Sequence, residues 1–261
     1  MRHENAPTAA TAPNASPAGV TRGTGGPLVL HNWNQRQRDA WVAAQARAIA
    51  AGSRVLDVGA GGCPYKPLFA HCEYVSQDAM PLDEAQVRQG GYGAIDLVCD
   101  ASAIPVGDGA FDAVLCTEVL EHVPDPVAVV REIGRVLRPG GIALITAPLG
   151  SGLHQKPQHY HGGYTPWWHD RFLREAGFDA IDVRPNDGSF SHFAQWCMWI
   201  PSRLRRALRP GNAWWCLPAT IAATVVLPPT ALAARLIDRA VGDDDFTVGY
   251  FVVARRGGAP A

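Results

Sequence analysis

Short apolar segments alternate with helical segments along this chain, and this alternation is the feature that most restricts its fold. Five of the apolar segments are predicted strands, at residues 54–58, 73–77, 95–99, 111–116 and 141–147. A helix predicted over residues 126–137 separates the fourth strand from the fifth. Strands that alternate with helices pair in parallel, and right-handed crossovers then place helices on both faces of the sheet.

Two further strands, at residues 178–183 and 246–254, complete the predicted sheet. Additional helices are predicted at residues 33–50 and 171–176. We therefore expect an α/β protein with a Rossmann-like, seven-stranded, mostly parallel sheet flanked by helices, and with a helical insertion before the last strand.

The chain divides into three predicted regions. Residues 1–27 are rich in Ala, Pro, Thr and Gly and lack apolar periodicity, so we expect a disordered tail. Residues 28–190 and 241–256 are expected to form the sheet domain. Residues 191–240 are expected to form the apolar helical insertion.

Composition restricts the partners and the location. The net charge of -1 gives no electrostatic reason to expect a nucleic-acid partner. The six cysteines include no C-x-x-C pair, which is typical of reduced thiols in a cytoplasmic protein and not of a disulfide framework.

A glycine-rich loop follows the first strand, where open α/β sheets bind ligands. Gly59 and Gly61 let the backbone turn tightly and approach a ligand closely. Asp78 follows the second strand, where a carboxylate can accept hydrogen bonds from ribose hydroxyls. A dinucleotide cofactor, and thus a dehydrogenase, is an alternative, but Pro64 occupies the third glycine position of G-x-G-x-x-G.

Several motifs in order resemble one enzyme family. The segments VLDVGAGGCPY, SQD and LVCDASAIPVGDGAFDAVLCTEVLEHVPDPVAVVREIGRVLRPGG resemble the class I S-adenosylmethionine-dependent methyltransferases of the small-molecule type. The similarity covers roughly residues 54–183. It implies S-adenosyl-L-methionine as the cofactor, with the last strand antiparallel. His122, in the LEHVPD segment, is interpreted as a structural residue that packs this turn.

By this resemblance, Gly59 and Gly61 line the methionine part of the cofactor and Asp57 anchors it. Cys63 stands where the family usually has a third glycine, so the detail of this loop departs from the family pattern.

The resemblance assigns the remainder of the cofactor to residues that follow later strands. Asp78 would hold the ribose, and Asp100, with Ala101 beside it, would contact the adenine amino group. Thr117 and Glu118 would lie beneath the sulfonium end. Each carboxylate also has a local interpretation as a helix cap or a turn residue.

The polar loop at residues 148–164 follows the fifth strand and should face the cofactor's methyl group. If the acceptor is a hydroxyl, a base must remove its proton, and His154 and His159 are the first candidates, followed by Tyr160. These side chains could instead satisfy the loop's own backbone. A metal site from His154, His159 and His161 is conceivable, but neither helical pairing nor a carboxylate supports it, so we predict none.

The insertion contains an uncharged run at residues 210–234. Three prolines are predicted to break any helix there, so the run should not span a bilayer: Pro218, Pro228 and Pro229. A lid over the acceptor is favoured, with Trp196 and Trp199 as walls. A homodimer interface, membrane-surface contact through residues 196–240 and simple packing on the domain are alternatives.

The predicted function is methyl transfer from S-adenosylmethionine to a small-molecule acceptor, at a hydroxyl oxygen, of a secondary metabolite or a sugar. One alternative is a non-catalytic cofactor-binding subunit. Another is an enzyme that acts on a lipid-linked substrate at the membrane surface, in which case the cytoplasmic protein would be membrane-associated.

Overall fold

A seven-stranded sheet forms the centre of the structure, a computed structural model that describes residues 32–258. The predicted tail at residues 1–27 lies outside the described residues. The strands are β1 Arg54–Val58, β2 Glu73–Asp78, β3 Leu97–Val98, β4 Phe111–Thr117, β5 Leu137–Pro148, β6 Phe178–Pro185 and β7 Gly249–Arg256.

The strand order is β3-β2-β1-β4-β5-β7-β6. β1 pairs in parallel with β2 and β4, whereas β7 runs antiparallel to both of its neighbours, β5 and β6. This arrangement confirms the predicted Rossmann-like, mostly parallel sheet with an antiparallel last strand. Because the order reverses between β1 and β4, a crevice opens there at the carboxyl ends of the strands.

Five α-helices flank or extend the sheet: α1 Trp33–Ala48, α2 Pro126–Val136, α3 Pro166–Glu175, α4 Ser189–Ala207 and α5 Ala213–Val241. α2 begins where the Asp125 side chain accepts a hydrogen bond from the Ala128 N–H, 3.0 Å away, and Pro126 fits the first helical position. The apolar face of α2 is buried in the larger core beneath the sheet.

Alternate residues of the strands supply two separate cores. In β1, Val55 packs with Val42 and Ala46 of α1 on one face. Leu56 and Val58 pack with the α2 residues on the other face. This two-sided burial explains why the strand is an almost continuous apolar run.

β3 and β5 differ most in length from their predictions, and β7, predicted over residues 246–254, spans Gly249–Arg256. β3, predicted over residues 95–99, pairs only at Leu97 and Val98, because it is the edge strand and lies against the last two residues of β2. β5, predicted over residues 141–147, already begins at Leu137, which pairs with Phe111 before a register shift.

α4 and α5 pack against each other as a helical pair. Asp238 near the end of α5 accepts hydrogen bonds from the Gly188 N–H at 3.0 Å and the Ser191 hydroxyl at 2.9 Å. The guanidinium of Arg235 lies 4.7 Å from the ring centre of Trp33 in α1. These buried contacts join the start of α4 to the end of α5 and attach this end of the helical pair to α1.

The prediction that prolines break the uncharged run is wrong. α5 is one 29-residue helix that contains Pro218, Pro228 and Pro229. Each internal proline costs about 3 kcal/mol in a helix. Packing of Leu227, Ala231 and other small apolar side chains of α5 against α4 opposes this cost.

One helical segment among residues 32–258, Pro210–Val241, is long and apolar enough to cross a membrane. Only 17% of its most apolar window is buried inside the protein. Proline therefore does not exclude a spanning helix. However, β6 before it and β7 after it pair in one sheet, so a single crossing would leave the last strand on the wrong side of a bilayer.

Candidate active site

A cleft of about 640 Å³ opens at the carboxyl ends of β1, β2 and β4. Ligand clefts of roughly 300–1,000 Å³ are usual for small molecules. Seven of the residues assigned to the cofactor line this cleft: Gly59, Gly61, Asp78, Asp100, Ala101, Thr117 and Glu118. Two of the proposed acceptor-side residues, His154 and Tyr160, line it as well.

In the glycine loop, Gly59 is too close to Val119 for a side chain, and three residues adopt the left-handed region. Gly59 has φ 66°, and a Cβ there would lie 2.5 Å from Cγ2 of Val119. Gly61 has φ 52° and donates its N–H to Asp78 at 2.9 Å. Cys63 also adopts the left-handed region, with φ 52°, so it keeps the conformation that favours a third glycine.

Asp57 lies under the cleft and does not line it. Its carboxylate is 1% exposed and accepts a hydrogen bond from the Tyr74 hydroxyl. Burial raises the pKa of Asp57 to about 7, although the Tyr74 hydrogen bond acts in the opposite direction. The hydrogen bond links Asp57 of β1 to Tyr74 of β2, and the predicted role of Asp57 as an anchor of the cofactor stays a prediction.

Asp78 and Asp100 each accept hydrogen bonds from neighbouring groups and also line the cleft. Asp78 accepts hydrogen bonds from two backbone N–H groups, including that of Met80 at 2.6 Å, and these fix its carboxylate at the cleft. Asp100 accepts from the N–H and hydroxyl of Ser102, both at 2.7 Å, and these bonds lower its pKa. A carboxylate has about four lone-pair sites, so both retain capacity for a ligand.

Glu118 is held in an uncommon conformation at the end of β4. Its φ is 53°, its Oε1 accepts a hydrogen bond from the Thr146 hydroxyl at 2.9 Å, and its Oε2 forms an ion pair with Arg38 at 3.1 Å. Burial alone would lower the pKa of Arg38, but Glu118 reverses this effect and the pKa is raised. The cleft thus carries a fixed carboxylate beside a permanent cation.

The contribution of α1 to the cleft was missed in the sequence. Gln35 and Arg38 of α1 line it. Asp39 of the same helix forms an ion pair with Arg88 at 2.7 Å and accepts a hydrogen bond from the Tyr65 hydroxyl at 2.9 Å. The sequence does show charged residues on the predicted helix. However, no local pattern indicates which loop that helix will pack against.

Glu121 is the most unusual carboxylate of the site. It is 1% exposed, and neither of its oxygens has a hydrogen-bond partner among the described residues. Burial, and then the charge of Glu118, raise the pKa of Glu121 well above its usual range.

Three histidines, His122, His154 and His159, meet at one end of the cleft; we call them the histidine cluster. His122, interpreted as a residue that packs its turn, also lines the cleft, and its Nδ1 bonds to the Gln158 carbonyl. The trio weighed in the sequence included His161, but its Nε2 instead faces the Pro124 carbonyl at 3.3 Å. His159 does not line the cleft and lies 3.4 Å from the Ser151 hydroxyl.

Burial lowers the pKa of His122 to about 4, and the neighbouring histidines act in the same direction. Burial and His154 also lower the pKa of His159. Both rings are therefore neutral near pH 7 and have a lone pair.

The donor set fits the expected cofactor. Asp78 and Asp100 line the cleft with lone pairs left for hydroxyl or amino groups, and Gly59 and Gly61 expose backbone without side chains at the same cleft.

The chain is similar to known methyltransferases. Residues 56–145 match the family model described as a methyltransferase domain. A protein of Mycobacterium sp. (strain JLS), named an uncharacterized methyltransferase, is 32% identical over 194 residues, which cover 68% of this chain and 73% of that protein. A ubiquinone biosynthesis O-methyltransferase of Xanthomonas oryzae pv. oryzae (strain PXO99A) is 39% identical over 105 residues, covering 37% of this chain and 43% of that one.

Among solved structures, the cyclase SpnF is similar with a TM-score of 0.53 and 20% identity, covering 85% of this chain and 81% of that chain. At this identity the likeness shows a shared fold alone.

Proposed function

Because the chain belongs to the class I S-adenosylmethionine-dependent methyltransferases, we propose that it methylates a hydroxyl oxygen of a small-molecule acceptor. One observation carries this proposal: His154 and Tyr160 line the same cleft as Gly59, Thr117 and Glu118. Cofactor-side and acceptor-side groups therefore share one space, as in-line transfer requires.

The geometry of His154 suits proton removal. Its Nδ1 lies 2.9 Å from the Gly152 carbonyl oxygen, so Nδ1 carries the proton and Nε2 keeps a lone pair. When bound, S-adenosylmethionine supplies a methyl group on a positively charged sulfur. Nε2 of His154 would accept the hydroxyl proton while the cleft holds the oxygen in line with that methyl group. Glu118 would place negative charge near the sulfonium end.

A secondary metabolite or a sugar is the acceptor class we propose, in a cytoplasmic protein. The name of the Xanthomonas relative supports transfer to oxygen. The polar loop that contains Gln155, Gln158 and Tyr160 supports an acceptor with several hydrogen-bonding groups.

A lipid-linked acceptor is a second candidate, and the exposure of α5 favours it. Trp214 is 80% exposed and Val225 is 68% exposed, in a helix with few charges. Large exposed apolar patches usually mark contact with a partner or a membrane. No residue of 191–240 lines the cleft, so the lid, a homodimer interface and membrane contact all stay predictions.

The test is methyl transfer from methyl-labelled cofactor to three acceptor pools: phenolic metabolites, free sugars and lipid-linked hydroxyl compounds in vesicles. The proposal is supported if the label appears in a methyl ether, which base does not hydrolyse. Label only in amines would contradict oxygen transfer, and label only in the vesicle pool would favour the second candidate.

The rival functions give separate results. Binding of S-adenosylhomocysteine without turnover of any acceptor would indicate a non-catalytic subunit. A melting temperature raised by NAD but not by S-adenosylhomocysteine would indicate a dehydrogenase.

A further inference from the structure

The histidine cluster has the convergence expected of a metal site. A ligand nitrogen of each of His122, His154 and His159 lies within 4.8 Å of the other two. The ring centres are separated by 4.7, 5.4 and 4.6 Å, with interplanar angles of 88°, 65° and 58°. The rings therefore meet at an angle around one point and are not stacked, as three imidazole ligands of a tetrahedral metal do.

Hydrogen bonds already fix two of these rings for metal binding. Nδ1 of His122 bonds to the Gln158 carbonyl, and Nδ1 of His154 bonds to the Gly152 carbonyl. A carbonyl only accepts, so each Nδ1 is protonated and each Nε2 has a free lone pair. Metal-ligating histidines almost always have such an outer partner on the second nitrogen.

The third ring, that of His159, has a nitrogen that could bind a metal. Nδ1 of His159 is buried and has no hydrogen-bond partner among the described residues. A buried nitrogen without a partner costs about 1–3 kcal/mol. Coordination would satisfy this nitrogen.

The nearby carboxylate supplies an independent observation. Oε1 of Glu121 lies 3.8 Å from Nε2 of His122. The Glu121 side chain is 1% exposed, and neither of its oxygens has a hydrogen-bond partner among residues 32–258. An unpartnered, buried polar group therefore lies beside the nitrogen of His122 that would bind the metal.

We propose that His122, His154 and His159 form a binding site for a divalent transition metal of the zinc type, with its fourth position open to the cleft. Three imidazole ligands favour Zn²⁺, Co²⁺ or Ni²⁺ over Mg²⁺ and Ca²⁺, which prefer oxygen. Tetrahedral Zn²⁺ would bring the nitrogens to about 3.3 Å from one another. His154 is exposed and lies in a loop, so a side-chain movement can close the difference.

This inference goes beyond the proposed function, since metal binding requires neither cofactor nor acceptor. Since His122 and His154 line the cleft, the open position would face it and could take water or another oxygen ligand. With a metal bound, the His154 lone pair would be engaged as a ligand, so proton removal by His154 belongs to the metal-free protein.

The experiment uses full-length protein without a polyhistidine tag, stripped by a chelator and titrated with Zn²⁺ and with Co²⁺. We expect one equivalent to bind, with a visible Co²⁺ spectrum of tetrahedral nitrogen coordination. His154→Ala, in an exposed loop residue, should weaken binding roughly tenfold or more, and His159→Ala should do the same. His161→Ala, in the same loop but outside the cluster, is the matched control and should bind like wild type.

Folding and cofactor binding are checked separately by thermal unfolding and by S-adenosylhomocysteine affinity, which His154→Ala should leave unchanged. No stoichiometric binding by the stripped wild-type protein, or equal binding by His154→Ala, would overturn the proposal. A metal site that forms while every acceptor fails would reject only the proposed function. Turnover that persists without metal would leave His154 as the base and the metal without a role in transfer.

Discussion

Arg38 of α1 and Glu118 at the end of β4 form an ion pair of 3.1 Å across the edge of the cleft. Their side chains are 16% and 30% exposed, so water screens the pair only partly. Glu118 lies close enough to the buried Glu121 to raise its pKa, and Arg38 acts in the opposite direction. Arg38 thus offsets negative charge from two carboxylates at once.

The first prediction tests this pair by a double-mutant cycle. Arg38→Ala should lower the free energy of unfolding by about 1.5–3 kcal/mol, the range for a hydrogen bond to a charged group. In the background of Glu118→Gln the same change should cost much less, because the charge that Arg38 offsets is gone. Urea unfolding measures all four proteins. Additive losses would show that Arg38 stabilises the protein through other contacts.

The second prediction concerns the ribose side of the cleft. Asp78→Ala should weaken binding of S-adenosylhomocysteine roughly tenfold or more, since a charged hydrogen bond contributes about 1.5–3 kcal/mol. Part of the loss would come from the freed N–H of Gly61, which Asp78 also holds. Calorimetry measures the affinity, and Asp179→Ala, at an exposed position of β6, is the matched control. Unchanged affinity in the Asp78 variant would remove this residue from the cofactor site.

The third prediction separates cofactor binding from turnover. In chelator-stripped protein, His154→Ala should reduce kcat about 10²-fold or more, the scale of a general base, while cofactor affinity stays near wild type. His159→Ala should have a smaller effect, because His159 does not line the cleft. Single-turnover transfer and calorimetry on the same preparations provide the two readouts. Normal turnover in both variants and in the double variant would mean that transfer depends on positioning alone.

The fourth prediction concerns stability at acid pH. His169 is fully buried, neither of its ring nitrogens has a hydrogen-bond partner in the described part of the chain, and burial lowers its pKa to about 3. Its folded-state pKa lies below the unfolded value, so its contribution is fully present above pH of about 6.5 and is lost as the pH falls towards 3. At pH 5 the loss should be about 2 kcal/mol.

His169→Phe should remove that loss. The decrease in unfolding free energy between about pH 7.5 and pH 5 should then be about 2 kcal/mol smaller in the variant than in wild type. Asp57, with its raised pKa, acts with the opposite sign, but it is common to both proteins and cancels in the comparison. Identical pH profiles would show that His169 is protonated in the folded state without cost.

The fifth prediction concerns the exposed face of α5. Replacing Trp214, Ile221 and Val225 with serine should abolish sedimentation with anionic vesicles and leave S-adenosylhomocysteine affinity unchanged, because none of the three lines the cleft. A variant that instead changes from dimer to monomer on a sizing column would favour the homodimer. If neither property changes, the helix packs on its own domain and has no partner.

The sequence was sufficient to predict the sheet and most of the cleft, because strand ends are local patterns that all point to one edge. Asp78, Asp100 and Glu118 reach the same cleft for this reason. Gly59 could be recognised since the turn after β1 requires a residue without a side chain.

Other features depend on contacts between distant parts of the chain. Arg38 meets Glu118 only after α1 docks, and His122 joins His154 only when the loop after β5 folds back over Leu120–His122. The helix through Pro218, Pro228 and Pro229 depends on packing against α4, which overrides a local rule. None of these pairings leaves a periodic signal.

β7 is the last strand in the chain, yet it lies between β5 and β6 in the sheet. On the ribosome, β6 therefore emerges without a hydrogen-bonded neighbour and must wait while the whole of α4 and α5 is synthesised. During that interval the free edge of β5 and the apolar surface of α5 are both available to chaperones or to other nascent chains. Premature termination within α5 would produce a polypeptide that lacks β7, so β5 and β6 would have no strand between them. Such fragments should aggregate or be degraded.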